Sequence, residues 1–150
     1  DGIKYLTNVE IQILLDIAIN IGRLSMNSVF EMLLELCKQM EQDEGISEHI
    51  AVWEMIMTTI ANVYGEMEEY TQSNEINLLT MQEGIFCYRM HTLVPNLYGI
   101  IWNNQRLAMK NIPTQEGYHE RDYLNKCIIL CQMNKHKDKE KIVKRRLEEN

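Results

Sequence analysis

A five-position apolar ladder occurs three times along this chain and limits its fold more than any other feature. The first copy is Leu14, Ile17, Ala18, Ile21 and Leu24; the second is Met57, Ile60, Ala61, Tyr64 and Met67; the third is Leu97, Ile100, Ile101, Asn104 and Leu107. Steps of 3, 1, 3 and 3 residues put all five side chains on one helix face, whereas a strand would scatter them over both of its faces. The copies begin 43 and then 40 residues apart, the period of two helices and a turn stacked hairpin upon hairpin. No segment alternates with period two between turn signals. Only 2 prolines and 7 glycines in 150 residues leave few of the breaks that a loop-rich β protein needs. The expectation is an all-α, helical-hairpin solenoid of about seven helices.

Local signals place the boundaries. Thr7 and Glu10 have capping-box spacing and start a helix near residue 8; Ser28 with Glu31 starts its partner. Asp43-Glu44-Gly45 ends the first hairpin, residues 8–43, with Gly45 suited to the left-handed position after a helix. Ser47 opens the second hairpin, residues 47–91. Its first helix carries Trp53 and the second ladder. Glu68-Glu69-Tyr70 makes the turn, and Thr71 begins a helix expected to face Ile76, Leu79 and Phe86 inward. Pro95 suits the first turn of the third ladder helix. With a helix from about Glu120 to Met133, whose Tyr123, Cys127, Ile128, Leu130 and Cys131 point inward, it forms the third hairpin, residues 93–134. Asp138 is expected to cap a charged last helix over residues 138–149, docked by Ile142, Val143 and Leu147 alone. The whole reads as one helical-repeat domain, residues 1–150.

Charge and composition narrow the function. The net charge of −7 divides unevenly: residues 1–134 carry −10 and residues 135–150 carry +3. An acidic body does not neutralise phosphates over a broad face, so nucleic acid is not the expected direct partner. The basic tail alternates in sign, as a solvated helix with Glu-to-Lys pairs does. Uncharged stretches are short and broken by Asn, Gln or Thr, which excludes a membrane span, and no basic-then-apolar leader opens the chain. Cys37, Cys87, Cys127 and Cys131 sit inside apolar helical patterns without a metal-ligand spacing, so they read as reduced core thiols of a cytoplasmic protein. No Gly-rich phosphate loop, nucleophile elbow or HExxH occurs, and neither an enzyme nor a cofactor or metal site is expected.

The segment Met57 to Tyr70, MTTIANVYGEMEEY, resembles a tetratricopeptide repeat: Met57, Ile60-Ala61, Tyr64 and Tyr70 stand where that repeat places large, small and aromatic residues. Asn104 and Ile101 depart from the pattern in the third copy. More broadly, EIQILLDIAINIGRLS, TTIANVYGEMEEY, LYGIIWNNQRL and a closing LEEN resemble the C-terminal repeat region of bacterial helix-turn-helix regulators, the peptide-sensing group of the Rgg and PlcR types. The resemblance implies a homodimer with a peptide or protein bound in the concave groove. It also implies that DNA is reached only through an N-terminal domain that this chain lacks.

In such an array the groove is lined by first-helix positions off the ladder. Counted from Ala18, Ala61 and Ile101, they include Arg23, then Thr58, Asn62 and Glu66, then Tyr98, Trp102, Gln105 and Arg106. The set suits an extended peptide. Asn62 and Gln105 pair with backbone groups, Arg23 or Arg106 holds a carboxylate, Trp102 fills an apolar pocket, and Gly22 and Gly65 leave room for close approach. The alternative is a constitutive protein-interaction scaffold that senses nothing.

Overall fold

A computed structural model describes residues 31–33, 35, 37–38, 46–86, 89 and 92–149. Helix is the only regular structure among them, with no strand. Five helices have defined bounds: α1 (Ile46–Glu66), α2 (Tyr70–Phe86), α3 (Val94–Met109), α4 (Glu120–Met133) and α5 (Lys137–Glu149). The first ladder, its hairpin's start and turn signals, and Arg23 lie outside the described residues.

The chain divides into two compact units, residues 1–60 and 61–150. In the first, Leu33 and Cys37 are buried four residues apart on helical backbone. Trp53, Ile56, Met57 and Ile60 of α1 form a buried stripe at helical spacing. Thr59 turns its hydroxyl back to the Met55 carbonyl at 2.7 Å, so this β-branched polar residue satisfies itself inside the helix.

In the second unit, α2 packs on α3, α3 on α4 and α4 on α5. The third ladder is buried from Leu97 to Leu107. Leu93, Val94, Leu97 and Ile101 join Leu124, Cys127, Leu130, Cys131 and Val143 in one apolar core. Leu124, absent from the inward set predicted for α4, is its most deeply placed leucine, at 0% exposure. Helix α5 begins at Lys137, so Asp138 stands in its first turn rather than before it. An acidic residue in that turn still complements the positive end of the helix dipole. Val143 is buried and Leu147 packs on the core, but Ile142 faces outward.

Helix α2 departs most from expectation. Its buried face is Ser73, Asn74, Asn77 and Thr80, while Leu79 is 44% exposed and Ile76 only half-buried. The Phe86 side chain lies outside the described set. The cause is the partner: α3 presents Asn96, Asn103 and Asn104 to it, all buried. A polar face offered by α3 is matched by hydrogen-bonding side chains and not by leucines.

Three helices end the same way. After α1, α3 and α4 a non-glycine residue takes the left-handed conformation: Glu68 (φ 66°), Asn111 (φ 60°) and Lys135 (φ 59°). The following N–H groups reach back five residues, Glu69 to the Tyr64 carbonyl, Ile112 to Leu107 and His136 to Cys131, each at 2.9 Å. This 6→1 bond is the Schellman closure, usually built on glycine. The sequence hides it because no glycine occupies any of the three positions. Lys135→Gly is expected to raise stability by about 0.5–1 kcal/mol, since glycine meets no steric penalty at that φ. Urea titration against the parent chain is the check.

Candidate functional site

The candidate site is a cleft of about 370 Å³ within the second unit, in the range of small-ligand pockets. Its lining comes from four helices: Ala61, Asn62, Gly65 and Glu66 of α1; Ser73 of α2; Pro95, Tyr98, Gly99, Trp102 and Asn103 of α3; and Lys139 of α5. Four residues selected from the ladder register, Asn62, Glu66, Tyr98 and Trp102, meet here.

The floor is fixed by hydrogen bonds. Asn103 donates through Nδ2 to Ser73 Oγ at 2.7 Å and to Asn74 Oδ1 at 3.0 Å. Ser73 Oγ donates in turn to the Ala61 carbonyl at 2.6 Å. Gly65 fits over this cluster because it has no Cβ; one would lie 3.2 Å from Asn103 Oδ1 and 3.6 Å from the Trp102 ring. Gly99 is tighter, with a Cβ position only 2.8 Å from Asn77 Nδ2. Asn77 Oδ1 accepts from Asn96 at 3.1 Å, while its own Nδ2 has no partner among the described residues. The two glycines therefore let α1 and α2 approach the polar face of α3.

The walls are aromatic. Trp102 is half-buried, meets Tyr70 edge-on with ring centroids 5.9 Å apart, and carries the Arg106 guanidinium 4.6 Å from its centroid. Lys139 lies 5.4 Å from the centre of the Tyr98 ring. These contacts orient the rings by cation–π and edge-to-face attraction. The polar tips differ from the floor. The Asn62 amide, the Glu66 carboxylate, the Tyr98 hydroxyl and the Trp102 indole N–H have no hydrogen-bond or ion-pair partner among the described residues.

The remaining predicted residues go elsewhere. Gln105 borders a second cavity of about 180 Å³ on Tyr98 and Trp102, and donates to Glu120 Oε1 at 3.4 Å, which also accepts from Arg146 at 3.3 Å. Arg106 is exposed and stacked on Trp102, outside the cleft lining. Thr58 is half-buried in the first unit. Asn104, the irregular rung, is structural: it donates to the Ile100 carbonyl at 2.9 Å and accepts from the Gln115 backbone N–H at 2.9 Å, tying down the α3–α4 connection. Lys139, Ser73 and Asn103 were not singled out by register. The asparagines at helical spacing in α2 and α3 carried a signal for the last two; Lys139 carried none, inside an alternating charge run.

Cys127 and Cys131 lie in the core and do not line the cleft. Burial pushes the Cys127 thiol up to about 12, and Cys131 upward as well. Neither forms the reactive thiolate near neutrality. Iodoacetamide at about pH 8 should leave both unmodified in the folded chain and alkylate both in denaturant, read by peptide mass mapping. The raised folded value also sets an alkaline limit. The Cys127 contribution to stability is complete below its ordinary value of 9.0 and is lost as pH climbs towards about 12.

No group of three His, Cys, Asp or Glu positioned for a metal occurs among the described residues. No described helix is long and apolar enough to cross a membrane. Comparison with family models, curated proteins and solved structures gives no match to this chain.

Proposed function

We propose that this chain is the sensing and dimerising region of a bacterial transcription regulator, and that its second unit binds a short peptide in the cleft. The observation that carries the reading is the division of labour in that cleft. Its floor residues are hydrogen-bonded to one another, while the Asn62, Glu66, Tyr98 and Trp102 tips above them have no partner within the described chain. A preformed concavity with aromatic walls and a few convergent polar groups is what peptide and small-ligand recognition requires. The repeat resemblance supports the regulator assignment, with DNA held by a separate helix-turn-helix domain of the parent protein. Ligand binding then favours one helix arrangement or dimer geometry by its differential affinity for the two.

The test is titration of ¹⁵N-labelled chain with random tripeptide pools, each with one position fixed. The expected response is saturable movement of the Gly65 and Gly99 amides, the Asn62 side-chain amide and the Trp102 indole N–H. Pools that move none of these signals remove the reading. If a pool binds but leaves the parent's dimer geometry and DNA affinity unchanged, the sensing role gives way to a constitutive scaffold.

A further inference from the structure

We infer that the cleft takes a peptide with free ends, and that Lys139 of the last helix holds its terminal carboxylate while Glu66 holds its ammonium group; this rests on the peptide-binding reading above. The sequence offers Arg106 as the anion-binding residue, but that guanidinium stacks on Trp102 and does not line the cleft. The cleft's cation is Lys139, brought in by a helix that register alone treats as a surface cap. Lys139 is half-buried, and its ammonium lies 5.4 Å from the centre of the Tyr98 ring, which holds the charge at the cleft wall. Glu66 reaches the same cleft from α1. The two form no ion pair with each other or with any other described residue.

Two charges of opposite sign, neither in an ion pair among the described residues, bordering one small cleft mark a dipolar ligand. A single-signed ligand would satisfy one and be repelled by the other. A cavity of about 370 Å³ holds only a few residues, so both ends of a short peptide fall within it. Charged side chains of a longer strand supply the same two groups, and the experiment separates the two sources. The uncharged middle of the peptide lies against Trp102, with the Asn62 amide free to pair with its backbone.

The probe is one tripeptide pool that binds, short enough to keep both ends within the cleft, prepared in four forms: free, N-acetylated, C-amidated and doubly capped. Each is titrated into the full chain and into Lys139→Gln, Lys139→Arg and Glu66→Gln variants, with circular dichroism confirming the fold. Capping either end of the free peptide is expected to weaken binding about tenfold. Lys139→Gln should weaken the free form and become indifferent to amidation, while Lys139→Arg keeps the amidation penalty. Glu66→Gln should become indifferent to acetylation. Equal binding of all four forms overturns the inference and leaves peptide recognition standing. An amidation penalty that persists in Lys139→Gln overturns the Lys139 assignment. If no pool binds in any form, the peptide-binding reading fails, and this inference with it.

Discussion

Leu124→Ala is expected to lower stability by about 3–5 kcal/mol, towards the upper end for a leucine truncation. Leu124 has 0% exposure, sits in the core with Leu97, Ile101, Cys127 and Val143, and borders the second cavity. The methyl groups it loses therefore enlarge a void that already exists, and the rigid helix backbones on either side limit collapse. Ile129→Ala on the same helix is the contrast. At 55% exposure it should change stability by no more than about 0.5 kcal/mol. Urea titration gives both values, with an unchanged m-value confirming that the midpoint shift reports stability. A loss below about 1 kcal/mol for Leu124→Ala would contradict the packing of α4 against α3 and α5.

The helices were legible because their causes are local. Pro95 at the start of α3 and the 3- and 4-residue spacing of Leu97, Ile100, Ile101 and Leu107 fix that helix and its buried face without reference to anything distant. The α2 face was not legible, because an apolar residue faces inward only when its partner is apolar. Leu79 loses that contest to Asn77, since α3 turns Asn96 and Asn103 towards α2. The same reasoning divides the site. Asn62, Glu66, Tyr98 and Trp102 follow from helical register within α1 and α3, and the structure brings them to one cleft. Register says nothing about which face of α5 crosses α3, so Lys139 was invisible and Gln105 was assigned to the cleft when it borders the neighbouring cavity. Arg106 was misjudged for an energetic reason. A guanidinium one turn from a tryptophan is drawn onto the ring face, which costs it no further desolvation in an exposed setting.

Asn103→Ala is the second large effect, expected at about 2–4 kcal/mol although it removes only an amide. Asn103 is 1% exposed and its Nδ2 serves two acceptors, Ser73 Oγ and Asn74 Oδ1. Truncation breaks both bonds; Asn74 Oδ1 is left buried without its donor, at about 1–3 kcal/mol, while Ser73 Oγ loses one bond and keeps the one to the Ala61 carbonyl. Adding Asn74→Ala removes one stranded partner, so the double variant should be less destabilised than the sum of the single ones by about 1 kcal/mol. Asn62→Ala, exposed at the rim of the same cleft, should leave stability within about 0.5 kcal/mol of the parent. The two asparagines thus separate roles within a single cleft: losing Asn103 is expected to unlock the floor and cost stability, while losing Asn62 is expected to cost only the proposed binding. Should Asn103→Ala prove neutral, water already satisfies the seam between α2 and α3, and the cleft floor is not held by these bonds. The preorganisation that the proposed peptide recognition requires would then have to come from the aromatic wall, where Tyr70, Trp102 and Arg106 support one another.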